Sequence, residues 1–288
     1  MPRKGIVLAG GMGTRMYPLT VAVSKQLLPL YDKPMIYYPL SILMKAGIKD
    51  IIIISSKEHL PLFKKLLGTG SELGLNLIYK VQNKPQGIAQ SILLAKDFLK
   101  KSDFCLVLGD NIIFGDEKEI LNKIRKANVS KKATIFTKKV STPELYGVAK
   151  FNKNLLSLIV EKPKEYISNQ AVIGLYFFPN AAIQETKKLK FSERGELEIT
   201  DLNNILINQK KMGIIKFSNN IKWYDAGSHK DYYLVINKIH NIQKKTNSSI
   251  ACLHEIAYKS NFINRNEYKK SIIKYEKSFY GDYLKSKL

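Results

Sequence analysis

The sequence contains little cysteine, histidine or arginine, and it has no long hydrophobic run. Two cysteines in 288 residues provide no disulfide framework. Four histidines form no cluster with them that would suggest a zinc site. No apolar run approaches the roughly 18 residues of a membrane span, so we expect no membrane partner. Because the chain begins almost directly with a glycine-rich motif, we expect no signal peptide and a reducing, cytoplasmic setting.

The formal net charge of +23 comes mainly from lysine. Arginine occurs at Arg3, Arg15, Arg125, Arg194 and Arg265. Nucleic-acid sites tend to concentrate arginine forks on one face, whereas the lysines here are spread along the chain. We therefore expect solvated surface lysines and no nucleic-acid partner, and a nucleic-acid-binding protein is the alternative that the charge raises.

A glycine-rich stretch follows the apolar residues 6–8, which predict a short buried strand. Gly10, Gly11 and Gly13 allow backbone N–H groups to converge on one point, as in an anion-binding nest. Arg15 adds a planar, permanently charged fork that matches phosphate oxygens. The alternative is a tight strand-to-helix turn without a ligand.

Two common phosphate-binding motifs are excluded. A Walker loop requires Gly-Lys followed by Ser or Thr, and Thr14 and Arg15 stand in those places. A dinucleotide fingerprint requires a small residue three places after its second glycine, where this chain has Met16.

Apolar runs and amphipathic stretches alternate through the first half of the chain. Strands are predicted at residues 50–55, 75–81 and 104–108, and helices at 60–67 and 88–99. The alternation predicts an α/β fold with a Rossmann-like doubly wound, mixed but mostly parallel sheet. Ligands in such sheets bind beyond the carboxyl ends of the strands, and Gln82 and Asp110 each follow a strand, as the glycine loop does.

The second half is richer in strands and ends in helices. Strands are predicted at residues 133–138, 147–151, 156–160, 172–178, 214–218 and 222–224, with a helix at 198–209. Ser228 and Asp231 form a helix-capping pattern, after which a helix runs to about residue 244. Residues 243–249 are typical of a linker, and residues 266–288 predict one further helix. We predict a catalytic domain at residues 1–227 and a helical C-terminal appendage at 228–288 that makes oligomer contacts.

Several motifs follow one another in an order that covers nearly the whole chain. They are Gly10-Gly11-Met12-Gly13-Thr14-Arg15, Ser24-Lys25-Gln26-Leu27-Leu28-Pro29, Asp32-Lys33-Pro34, Val107-Leu108-Gly109-Asp110-Asn111, Glu161-Lys162-Pro163, Arg194-Gly195-Glu196-Leu197-Glu198-Ile199-Thr200-Asp201 and Trp223-Tyr224-Asp225. With this set the chain resembles the sugar-nucleotide pyrophosphorylases. Most narrowly it resembles the members that join dTTP to glucose 1-phosphate, the first step toward dTDP-rhamnose or related deoxysugars.

The resemblance implies an Mg²⁺-dependent nucleotidyl transfer by a homotetramer, with a regulatory nucleotide site near residues 252–258. It implies catalytic roles for Arg15, Lys25, Asp110 and Lys162, and a metal site at Asp110 and Asp225. Nucleotide contacts are implied at Leu8, Gly10, Gly11, Gly13, Thr14, Arg15, Gln26, Gln82 and Gly87. Sugar-phosphate contacts are implied at Tyr146, Gly147, Glu161, Lys162, Val172 and Arg194. The chain departs from the family pattern at Gln86, where aspartate is usual, and this puts the ribose contact in doubt.

Three alternatives stay open. The same reaction with UTP or another sugar phosphate is the nearest, because one methyl contact changes binding by only about 1–3 kcal/mol. A non-catalytic nucleotide-sensing homologue is a second, although Lys25, Asp110 and Asp225, whose loss would mark it, are all present. The third is the nucleic-acid-binding protein noted above.

Overall fold

A twisted sheet forms the centre of the molecule in the computed structural model, which describes residues 3–288. The strands are β1 (Lys4–Leu8), β2 (Pro29–Leu30), β3 (Lys33–Pro34), β4 (Asp50–Ser55), β5 (Asn76–Val81), β6 (Phe104–Leu108), β7 (Ile112–Gly115), β8 (Ala133–Lys139), β9 (Gly147–Asn152), β10 (Leu155–Glu161), β11 (Gln170–Phe178), β12 (Met212–Lys216) and β13 (Ile221–Tyr224).

Nine of these strands form the main sheet in the order β10-β9-β11-β6-β1-β4-β5, with β8 pairing to β11 and β12 pairing to β8. Strand β1 pairs in parallel with both β4 and β6, and only β10 and β11 run against the direction of the other strands. This confirms the mixed, mostly parallel sheet. Strands β7 and β13 form a separate antiparallel ribbon.

Helices cover both faces of the sheet. They are α1 (Tyr37–Lys45), α2 (Leu60–Leu67), α3 (Gln90–Leu94), α4 (Lys96–Leu99), α5 (Glu117–Asn128), α6 (Ala182–Thr186), α7 (Ile199–Asn208), α8 (His229–Thr246), α9 (Leu253–Lys259), α10 (Arg265–Lys274) and α11 (Phe279–Lys285). Neighbouring residues of β1 enter different cores, Ile6 on one face and Val7 on the other. Burial of both faces explains why the parallel strands are continuously apolar.

Three predictions about the helices are wrong. The helix predicted at residues 88–99 is divided into α3 and α4 at Ala95. The expected linker at 243–249 begins inside α8, and the Gln243 carboxamide fixes it by accepting from the Ile250 amide at 2.7 Å. The single helix at 266–288 is two helices, because Ser278 caps a new start by accepting from the Gly281 amide at 3.2 Å.

The C-terminal helices pack onto the same hydrophobic core as the sheet, which contains Leu253, Tyr268 and Leu284 together with Leu40 of α1. His254 lies in this region with 3% of its surface exposed, and its Nδ1 is 2.8 Å from the Tyr280 hydroxyl. No helix in residues 3–288 is long and apolar enough to cross a membrane.

Burial of His254 predicts that acid weakens this part of the fold. Burial lowers the pKa of His254 to about 4, against about 6.5 for an unperturbed histidine. The contribution to stability is therefore complete above about pH 6.5 and is lost as the pH falls toward 4, by up to about 3 kcal/mol of unfolding free energy. We expect His254→Asn, which keeps a polar atom near Tyr280 but does not titrate, to flatten this pH dependence in denaturant unfolding. An equally steep dependence in the variant would contradict the assignment.

Candidate active site

The ends of β1 and β6 bring two motifs together. Leu8 and Leu108 are register partners in parallel strands, and the Gly109 amide donates to the Leu8 carbonyl at 2.8 Å. Asp110, which follows β6, therefore lies beside the glycine loop, which follows β1. This agrees with the prediction that both segments meet at the carboxyl ends of the parallel strands. The β7–β13 ribbon adds a third segment, because Tyr224 pairs with Ile112 and so brings Asp225 to the same edge.

Lys25 connects these three segments. Its side chain is buried, with 5% exposure of the residue, and its Nζ lies 2.8 Å from Oδ2 of Asp110 and 2.8 Å from the Asp225 carbonyl. An ammonium has three N–H donors. One donor is left for a ligand oxygen.

The Asp225 carboxylate is the electrostatically destabilised member of the cluster. Burial raises the pKa of the Asp225 carboxyl, and the negative charge of Asp110 raises it further. Oδ1 accepts from the Gly227 amide at 3.0 Å. A Cβ at Gly227 would lie 3.1 Å from this carboxylate and 3.2 Å from the Arg15 guanidinium, so both groups face the glycine. The partly uncompensated negative charge here favours a bound cation.

A small cavity of about 180 Å³ lies over the glycine loop. Its lining residues are Gly11, Gly13, Thr14, Arg15, Met16, Lys25, Gln26, Asp110 and Gly227. Gly13 has a left-handed backbone with φ of 63°, and Gln26 is held by the Ser24 hydroxyl, which donates to its Oε1 at 2.6 Å. Among residues 3–288, the Arg15 guanidinium makes no ion pair and donates no hydrogen bond, so it is available to an anion.

A larger cavity of about 670 Å³ adjoins the small one and shares Arg15, Asp110 and Gly227 with it. It contains most of the residues predicted to bind the sugar phosphate, namely Tyr146, Gly147, Glu161, Lys162 and Val172. Burial raises the pKa of Tyr146 to about 12, so its hydroxyl stays protonated at neutral pH. The side chain of Lys162 is exposed. The backbone of Lys162 is in the left-handed region, with φ of 44°.

Arg194 is the predicted sugar-phosphate residue that does not line this cavity. Its guanidinium makes a two-pronged contact with Glu198, with Nη2 2.9 Å from each carboxylate oxygen. Nη2 also lies 3.7 Å from Oε1 of Glu161. A phosphate would have to compete with the Glu198 and Glu161 carboxylates for the Arg194 guanidinium.

Four predicted nucleotide contacts lie outside both cavities, namely Leu8, Gly10, Gln82 and Gly87. Gly10 is nevertheless in contact with Gln82, since a Cβ at Gly10 would overlap Oε1 of Gln82. Nε2 of Gln82 donates to Oε1 of Gln90 at 2.6 Å, and Nε2 of Gln90 donates to Oε1 of Gln86 at 2.8 Å. Gln86, the departure from the family pattern, thus belongs to a glutamine chain that positions Gln82.

Sequence reasoning assigned no role to two asparagines of the large cavity. Oδ1 of Asn111 accepts from the Trp223 indole, whereas its Nδ2 has no partner among residues 3–288. Asn203 has none for either side-chain atom in the same range. The available signal was a polar residue among the buried positions of α7, three places after Thr200.

Comparisons with known proteins agree with this arrangement. The model of the nucleotidyl transferase family matches residues 4–242. A glucose-1-phosphate thymidylyltransferase from Neisseria meningitidis is 43% identical over 282 residues, which are 98% of this chain and 98% of that one. A protein of the same name from Xanthomonas campestris pv. campestris is 44% identical over 284 residues, covering 98% of this chain and 96% of its own.

A solved structure shares the fold as well. It is a candidate glucose-1-phosphate thymidylyltransferase from Bacillus anthracis in complex with sucrose, with a TM-score of 0.75 and 38% identity over 82% of this chain and 94% of that chain. These findings confirm the resemblance to the sugar-nucleotide pyrophosphorylases. The chain belongs to the nucleotidyl transferase family.

Proposed function

We propose that this protein joins dTTP to glucose 1-phosphate and releases pyrophosphate. The observation that carries the proposal is the pair of adjoining cavities that share Arg15 and Asp110. Relatives more than 40% identical over nearly the full chain bear the name of this activity. A screen for pyrophosphate release with four nucleoside triphosphates against several sugar 1-phosphates tests it, and release with UTP alone would favour the UTP-dependent alternative.

In the proposed reaction, an oxygen of the sugar phosphate attacks the α-phosphorus of dTTP. The bond from that phosphorus to the bridging oxygen breaks, and pyrophosphate leaves with the electron pair. Lys25 would donate its third N–H to a phosphate oxygen near the scissile bond, held there by Asp110 and the Asp225 carbonyl. Positioning and charge stabilisation of this kind account for most catalysis of phosphoryl and nucleotidyl transfer.

Asp110 and Asp225 fit an Mg²⁺ site. The raised pKa of Asp225 reflects burial and the nearby charge of Asp110, a repulsion that a divalent cation would relieve. No group of three or more acidic, histidine or cysteine residues that could hold a metal occurs in the described part of the chain, and Mg²⁺ typically takes one or two carboxylates plus phosphate oxygens and water. When bound, Mg²⁺ supplies charge neutralisation on the triphosphate.

The metal assignment predicts opposite effects of one substitution on activity and stability. Asp225→Asn removes a buried charge beside Asp110, so we expect a higher melting temperature at pH 7 without Mg²⁺ and turnover roughly 100-fold or more lower. The gain in stability should vanish as the pH falls toward about 3.9, where an unperturbed aspartate is protonated. Mg²⁺ should raise the melting temperature of the wild type and not that of the variant.

The control for this experiment is Asp97→Asn, which changes an exposed carboxylate on α4. It should keep wild-type turnover and the wild-type response to Mg²⁺. The assignment fails if Asp225→Asn retains full activity or the Mg²⁺-dependent increase in melting temperature.

We also propose that different cations bind the two substrates, since both are anionic and must come within bonding distance. Arg15 and Lys25 would bind the triphosphate, and Lys162 and Arg194 the sugar phosphate. Support comes from Lys162, which lines only the larger of the two cavities.

Lys162→Ala should raise KM for glucose 1-phosphate by roughly 10- to 100-fold, the cost of a charged hydrogen bond, and leave the Kd for dTTP nearly unchanged. Arg15→Ala should weaken dTTP binding and lower turnover. Titration with dTTP compares the two, with Lys164→Ala as a control for loss of a neighbouring exposed lysine. Equal loss of dTTP affinity in Lys162→Ala and Arg15→Ala would contradict the division.

We propose further that the protein is a cytoplasmic homotetramer whose C-terminal appendage, residues 228–288, makes subunit contacts and holds a regulatory nucleotide. Tyr233 and Leu234 are exposed on α8, at 66% and 44%, which supports a subunit contact there. A third cavity of about 530 Å³ lies beside Cys252 and Glu255, which supports a nucleotide site there.

Sedimentation should give the mass of four chains, and a mass of one chain would contradict the subunit contacts. Equilibrium dialysis should give two molecules of dTDP-glucose per chain, and one molecule per chain would contradict the regulatory site.

A further inference from the structure

The large cavity contains a buried carboxamide that the mechanism above does not use. Asn203 lies in the second turn of α7 and has only 1% of its surface exposed. Neither its Oδ1 nor its Nδ2 has a hydrogen-bond partner among residues 3–288. Native proteins leave few buried polar side-chain atoms unpaired, because such a group loses its hydration without compensation. An unpaired buried carboxamide in a cavity wall therefore indicates that its partner is a molecule in the cavity.

The adjacent residue shows what a structural asparagine looks like in this helix. Oδ1 of Asn204 accepts from the Ile159 amide at 2.8 Å, and its Nδ2 donates to the Ile159 carbonyl at 2.8 Å. Successive helical residues are rotated by about 100°, so Asn204 faces β10 while Asn203 faces the cavity. The two neighbours differ in what they contact, although they are chemically identical.

The surroundings of Asn203 favour a neutral, hydroxyl-bearing ligand. Thr200, one turn earlier on the same face of α7, donates its hydroxyl to Oε2 of Glu161 at 2.7 Å, and both residues line the same cavity. A carboxamide has donors and an acceptor. A phosphate offers only acceptors and would leave Oδ1 of Asn203 unpaired, whereas sugar hydroxyls donate and accept.

We propose that Asn203 is a specificity residue for the sugar: its carboxamide hydrogen-bonds one hydroxyl, or two adjacent hydroxyls, of the hexose ring. A sugar 1-phosphate without that hydroxyl would leave the buried carboxamide unpaired and would be rejected for that reason. This inference rests on the proposed function and deepens it, since it concerns which sugar 1-phosphates the same site accepts.

The test compares kcat/KM for glucose 1-phosphate with that for its 2-, 3-, 4- and 6-deoxy analogues. The wild type should discriminate by about ten-fold or more against the analogue that lacks the hydroxyl bound by Asn203. Asn203→Ala and Asn203→Leu should lower kcat/KM for glucose 1-phosphate by a similar factor and bring that analogue to parity. Their discrimination against the other analogues should stay at the wild-type ratio. Alanine removes the carboxamide, and leucine replaces it by two methyl groups with the same branching, so one of the two variants keeps the comparison usable if the other is unstable.

Asn204→Ala is the matched control. It removes the hydrogen bonds to Ile159, so it should lower the melting temperature and keep the wild-type profile across the analogues. If every analogue keeps its wild-type ratio in both Asn203 variants, the carboxamide binds water and the inference is wrong. Equal relaxation of selectivity in Asn204→Ala would also overturn it, because general loosening of α7 would explain the effect.

Failure of the proposed function has a separate signature. Wild-type protein that releases no pyrophosphate with any pair of nucleoside triphosphate and sugar 1-phosphate would overturn the function and this inference together. Active wild type with unchanged analogue ratios in the Asn203 variants would overturn this inference alone.

Discussion

The arrangement of the site depends on the buried ammonium of Lys25. A buried lysine is rare unless its charge is paired, and here the two partners belong to parts of the chain that are 85 and 200 residues away. The interaction therefore joins the N-terminal loop to the ends of β6 and β13. Without it, Asp110 and the already destabilised Asp225 would face each other with less positive charge to compensate them.

Charge is unevenly distributed around this edge. Within residues 3–288 the Arg15 guanidinium makes no ion pair and donates no hydrogen bond, whereas Arg194 is held by Glu198 and approached by Glu161. A phosphate that binds Arg15 gains a charge-assisted contact directly, but one that binds Arg194 must first replace a two-pronged carboxylate contact. Glu161 is also shared with Thr200. Glu161 is therefore contacted by both Arg194 and Thr200.

Much of the fold and site could be predicted because the signals are local. Apolar runs identified β4 and β6, and the residues after β1 and β6 met at one edge, as parallel strands require. What failed depends on tertiary contacts. Gln243 fixes an expected linker through Ile250, and residues 112–128, to which no element was assigned, form β7 and α5. The contact of Arg194 with Glu198 could not be predicted either. In the sequence, Glu198 is the first residue of the helix predicted at 198–209, and nothing there marks it as a partner for an arginine.

Asn203 and Asn204 illustrate the limit of sequence reasoning most directly. Composition, propensity and motif treat the two asparagines alike, and the period of a helix states only that they face different directions. Their difference comes from β10, which offers Asn204 both a backbone donor and a backbone acceptor, and from the cavity, which offers Asn203 neither. A buried polar group is structural when the fold provides its partners. Where the fold provides none, a ligand or water must, and the identity of the residue then carries information about the bound molecule rather than about the fold.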